Sequence, residues 1–116
     1  MWNVEFSEDA EHDFELIFDH LVESYLGFGE DVAYAFEHAV ERLRGIRSST
    51  HKLGLAPKQG TLRDDIASGI RFVRLEKAVF WFDLDEQRQA VRVLAVFFGA
   101  QDHIKHMLTR ALAAST

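Results

Sequence analysis

Arg71, Arg74, Lys77, Arg88 and Arg92 crowd one β-rich stretch, with Lys58 and Arg63 just ahead of it. Clustered guanidinium groups grip carboxylate or phosphate through paired N–H donors. Beside a general base they can also stabilise the charge that develops when a phosphodiester is cut. Residues two apart on a strand share a face. Arg88 and Arg92 are therefore expected on one side, and Arg71 and Arg74 on opposite sides, so the set is not a single stripe. Arg71, Arg74 and Arg92 are the candidate contacts for an anionic or protein partner. For RNA cleavage the candidates are Arg71 and Arg92 as cations and His103 as base.

Other chemistries find less support. The six histidines include His12 and His20, eight apart, and His103 and His106, three apart, but neither pair has a third ligand in place and cysteine is absent. No metal site and no cofactor are expected. Ser7, Ser24 and Ser68 lie in no nucleophile elbow. Gly27 and Gly29 precede a helix without a strand before them, unlike a phosphate-cradling loop. Asp83 and Asp85 flank a turn and read as turn formers.

The net charge of −6 is unevenly spread: residues 1–41 hold twelve Asp or Glu and no Lys or Arg, while residues 42–116 hold all thirteen Lys and Arg against seven acids. The acidic total argues against undirected nucleic-acid binding. No apolar run approaches the roughly 20 residues of a membrane span, and no basic-then-apolar leader is read. The absence of cysteine fits a reducing cytoplasm. At 116 residues the chain is read as one domain, 1–116.

These residues need elements to hold them. Residues 2–6 alternate apolar and polar, as a half-buried strand does. Ser7 reads as an N-cap for a helix over 8–26, with Glu8, Asp9 and Glu11 at the positive end of its dipole. Glu30 and Asp31 open a second helix, and the pair forms a hairpin. Phe14, Ile17, Phe18, Leu21, Phe36, Val40 and Leu43 are expected to pack on a sheet. Residues 48–68 read as an irregular connection with one helical turn near Arg63–Ile66. Strands are expected over 70–76, 78–84 and 89–98. Gly99 permits a sharp exit, and Asp102 caps a last helix over 103–113. The order β-α-α-β-β-β-α indicates an α+β fold with a helical hairpin on a mainly antiparallel sheet.

Three stretches carry a resemblance. "VEFSEDAEHDFELIFDHL" is similar to the opening strand and Ser-x-x-Ala-x-x-Asp helix of the RelE/ParE toxin superfamily. "SGIRFVRLEKAVFWFDLD" resembles its Gly-x-Arg segment and apolar strand, with Arg71 at the arginine position. "VRVLAVFFGAQDH" is similar to its last strand and Gly-Ala-Gln-Asp corner. The resemblance spans nearly the whole chain outside 48–66. It implies the toxin of a type II toxin–antitoxin, or plasmid stabilisation, module. Such a toxin works in the cytoplasm and is neutralised in a hetero-oligomer with a cognate antitoxin. One branch cuts messenger RNA on the ribosome, and the ParE branch is associated with poisoning DNA gyrase. Here Ala100-Gln101-Asp102 replaces the basic corner, and the last helix has no tyrosine. The ParE-like reading, a toxin that acts by binding, is therefore preferred to an endoribonuclease or a non-toxic interaction module. An amphipathic antitoxin segment is expected against Val91–Phe98, its acids toward Arg71, Arg74 or Arg92.

Overall fold

The computed structural model describes residues 1–99 and 101–114, so Ala100 of the corner lies outside it. Strand β1 (Asn3–Phe6) leads into helix α1 (Glu8–Gly27). Ser7 Oγ accepts the Ala10 N–H at 3.1 Å, which satisfies one of the donors a helix start leaves open. Gly29, at φ +91°, makes the tight turn into α2 (Val32–Ser48), where the Asp31 carboxylate accepts the Tyr34 N–H at 2.9 Å.

The connection after Ser48 is more ordered than expected. It holds a short helix, α3 (His51–Leu55), and a two-residue strand, β2 (Thr61–Leu62). Ser49 and Thr50 enter it buried, each hydroxyl donating to a carbonyl of the last turn of α2. Arg63–Ile66 forms a hydrogen-bonded turn, not a helix. Strands β3 (Arg71–Leu75), β4 (Ala78–Asp85) and β5 (Ala90–Phe98) follow, then helix α4 (His103–Ala114). Asp102 caps α4 through the Lys105 N–H at 3.1 Å, and Gly99 makes the strand exit at φ +77°.

The sheet order is β1-β5-β4-β3-β2, with β1 parallel to β5 and the other neighbours antiparallel. The fold is therefore α+β, as expected, with one short helix and one strand added to the expected order. Arg88 lies in the turn before β5, bonded to Glu5 and Asp85, and so shares no strand face with Arg92.

Two apolar clusters sandwich the sheet. On one face Phe80, Phe82, Val91, Val93 and Val96 meet Ala10, Phe14, Ile17 and Leu21 of α1. On the other, Trp81, Ala95 and Phe97 meet Ile70 and Met107, the one buried residue of α4. Both faces of β5 are thus covered: Ala90, Val91, Val93, Ala95, Val96 and Phe97 are all buried. A cleft beside this strand remains only at its Val96–Phe98 end, between α1 and α4.

The hairpin also sits differently from its expected packing. Ala35, Ala39 and Ile46 face inward on α2, while Phe36 is 45% and Val40 36% exposed. Small alanines let the α2 backbone approach α1 closely, which turns the larger side chains of the neighbouring stripe outward. Phe36 instead covers Phe18, ring centroids 5.7 Å apart.

Candidate functional site

The end of β1 shapes the first site. β1 pairs with β5 only from Ala90 to Val93. Beyond Val93 the β5 edge has lost its neighbour, and a register shift interrupts its pairing with β4 nearby. Helix α1 supplies the missing partners. Ser7 Oγ donates to the Leu94 carbonyl at 3.2 Å, and the Asp13 carboxylate accepts the Val96 N–H at 2.9 Å. Asp13 is buried, and Arg110 of α4 closes on it with two N–H donors at 2.9 and 2.6 Å. That bond holds the Arg110 guanidinium above its ordinary pKa. A cleft of about 610 Å³ runs along this edge, with Ile17, His20, Phe97 and Phe98 among its walls.

Sequence reasoning missed Asp13. The signal was present: Ala10, Asp13, Phe14 and Ile17 share the inward face of α1, and a carboxylate there needs a partner.

Arg71 and Arg92 do come together. Both line a cleft of about 510 Å³ formed by the 58–69 connection and the adjoining strand ends. Arg71 Nη1 donates to the Lys58 carbonyl at 2.9 Å, and the arginine makes no ion pair among the described residues. Arg92 grips Asp83, its cross-strand partner, through Nε and Nη2 at 2.8 and 2.9 Å. The hydrogen bonds to Asp83 raise the Arg92 pKa and neutralise its charge toward any ligand.

Arg74 and His103 form a separate group outside that cleft. Register places Arg74 opposite Val79 and Arg71 opposite Phe82, on the two faces of the sheet as expected. The His103 ring packs near Phe72 and Trp81, with centroids 4.8 and 5.6 Å away. Its Nδ1 and the Trp81 indole Nε1 are both buried without a hydrogen-bond partner. Burial first, then the nearby Arg74 charge, lowers the His103 pKa. The candidate base thus packs among aromatic rings, away from the Arg71–Arg92 cleft. Among the described residues no group of three His, Asp or Glu is placed to hold a metal ion, and no helix is long and apolar enough to cross a membrane.

The same architecture occurs in a chain of the chromosomal ParDE TA system from P. aeruginosa, at TM-score 0.63 and 21% identity over 85% of this chain and 97% of that one. The chain has the RelE/ParE toxin fold. The isolated E. coli RelE toxin also superposes, at TM-score 0.51 and 9% identity over 97% of this chain and 99% of that one. No protein-family model and no curated protein sequence matches the chain. Within the RelE/ParE fold, the three recognised stretches occupy β1–α1, β3–β4 and β5 with its corner. The fold brings two of the candidate cations together and leaves the candidate base outside their cleft.

Proposed function

We propose that this chain is the toxin of a type II toxin–antitoxin module, acting by protein binding and held inactive by a cognate antitoxin. The separation of His103 from the Arg71–Arg92 cleft carries the preference for binding over cleavage. Metal-independent RNA cleavage needs a base at the 2′-hydroxyl and cations at the phosphate within one site. Here the imidazole packs against aromatic rings outside the cleft, and one of the two cleft arginines is paired with Asp83. The match to a chain from a ParDE system supports the ParE-like branch and an antitoxin partner in the same cell compartment, the cytoplasm. Arg71 is the cleft residue free to contact the target, for which DNA gyrase is the proposal.

The experiment is inducible expression with and without the neighbouring antitoxin gene, followed by messenger RNA mapping and gyrase supercoiling assays. Growth arrest with intact transcripts, inhibited supercoiling and rescue by the antitoxin is the expected result. Site-specific transcript cleavage lost in Arg71→Ala or His103→Ala promotes the endoribonuclease. Normal growth removes the toxin reading.

A further inference from the structure

We infer that the solvent face of α2 is self-complementary and that a second copy of this chain docks on it antiparallel, forming a weak two-fold dimer. Ala35, Ala39 and Ile46 are the buried residues of the helix and define its inner face. Ala33, Glu37, Val40 and Arg44 recur at i, i+4, i+7 and i+11, so they share the opposite face, and all four are exposed. Val32 and Phe36, both exposed as well, line one flank of it. The face is therefore a ridge of small and apolar side chains with two charges set into it. At 1.5 Å per residue it runs for about 25 Å.

Charge selects the occupant. Residues 30–41 hold Glu30, Asp31, Glu37 and Glu41 and no Lys or Arg, whereas residues 42–52 hold Arg42, Arg44, Arg47 and Lys52 and no Asp or Glu. The helix dipole favours this order only within the first and last turns, and Glu37, Glu41 and Arg44 lie between them. Arg42 pairs with Glu76, Arg47 with Glu11 and His38 with Glu30, which leaves Glu37, Glu41 and Arg44 without an ion pair among the described residues. A uniformly basic partner helix conflicts with Arg44, and a uniformly acidic one with Glu37 and Glu41. Nucleic acid and anionic lipid conflict with the same carboxylates. The same helix reversed meets neither conflict. A two-fold axis beside Val40 and Glu41 sets Glu37 of each copy opposite Arg44 of the other, so the pair forms twice, as an isologous contact requires. A parallel arrangement sets Glu37 against Glu37 and Arg44 against Arg44. The net charge of −6 on each copy opposes association. Physiological salt screens charges more than about 8 Å apart, and the paired side chains meet well inside that distance. One helix from each copy buries little area, below the roughly 1,200 Å² of a stable interface. A dissociation constant on the order of 10–100 μM is therefore expected.

The test is sedimentation equilibrium of the full chain, free of any partner, over about 1–500 μM, a span that brackets such a constant. The parent is expected to pass from monomer to dimer. Arg44→Glu and Glu37→Arg each turn two attractive pairs into repulsive ones and should raise the dissociation constant about tenfold or more. The double variant Glu37→Arg/Arg44→Glu exchanges the two charges and should restore the parental constant. Lys105→Glu changes the net charge as Arg44→Glu does, but on α4, and should leave the constant unaltered. The three altered side chains are exposed, and circular dichroism checks the fold of each variant. A parent that stays monomeric throughout overturns the proposal. So does a dimer that Arg44→Glu leaves intact, or one that the double variant fails to restore. Release of a co-purifying protein by Arg44→Glu, with no dimer in the parent, gives the face to that protein and overturns the proposal as well.

Discussion

Asp13 and Arg110 stand 97 residues apart in the chain and meet through two charge-assisted hydrogen bonds, with the carboxylate buried and the guanidinium one-third exposed. The same carboxylate holds the Val96 N–H at the open edge of β5, so one side chain joins first helix, last strand and last helix. Truncation of Arg110 leaves that carboxylate with one hydrogen bond and no counter-charge. Arg110→Ala should destabilise the protein by about 2–4 kcal/mol, toward the lower end for a broken buried pair because the arginine is partly wet. Urea denaturation measures it, and a change below about 0.5 kcal/mol contradicts the linkage.

Phe36 and Phe80 make a contrasting pair. Phe80 is fully buried in the hairpin-facing core, and Phe36 is 45% exposed. Phe80→Ala should cost about 3–5 kcal/mol, and Phe36→Ala no more than about 1 kcal/mol. Equal losses in parallel melts would mean that α2 is rotated from the orientation described.

Acid should loosen the α4 side of the sheet through His103. Arg74 from β3 and Arg63 from the preceding turn face this imidazole, and Asp102 flanks it on its own element. Burial keeps the folded-state pKa below the ordinary 6.5. As pH falls through the range just below that value, the unfolded chain takes up more protons than the native one. The stabilisation is therefore complete above that range and is lost as acid is added. His103→Phe should flatten this part of the stability-versus-pH profile. An unchanged slope in the variant rules His103 out as its source.

Gly54 leaves no room for a side chain: a Cβ there would lie 2.4 Å from the Trp2 carbonyl oxygen. The Trp2 N–H also donates to the Gly54 carbonyl at 3.1 Å, so α3 clasps the start of β1 backbone to backbone. Gly54→Ala must push the two apart. A lowered Tm with increased tryptophan exposure to quenchers is the expected outcome, and a parental Tm would show that the clasp gives way at no cost.

Much of this architecture was legible because local chemistry and global fold agree. Ser7, Asp31 and Asp102 sit where helices begin, and β-branched runs mark β3 to β5. The face of α2 was not legible, because hydrophobicity ranks Phe36 and Val40 above Ala35 and Ala39, whereas close helix contact favours the alanines. The 48–68 connection hid α3 because its order comes from Ser49 and Thr50 hydroxyls bonding to the preceding turn, not from periodic apolar residues. At the candidate site, strand parity correctly separated Arg71 from Arg74. Nothing local revealed that Arg92 pairs with Asp83, since the two meet across the β4–β5 hairpin and their pairing depends on the register its turn sets.

The parallel pairing of β1 with β5 has a consequence for how the molecule comes into being. The first strand to leave the ribosome has a single neighbour in the sheet, and that neighbour is the last strand to be translated. Until it emerges, Phe14, Ile17 and Leu21 have only part of their partners, and Asp13 has neither Val96 nor Arg110. The nascent chain therefore carries an apolar hairpin without its full set of partners through most of its synthesis, and the sheet closes late. Contacts this distant in sequence make folding slow relative to local helix formation. Until β5 arrives, the strands still to come and any other apolar surface compete for the same face of the hairpin.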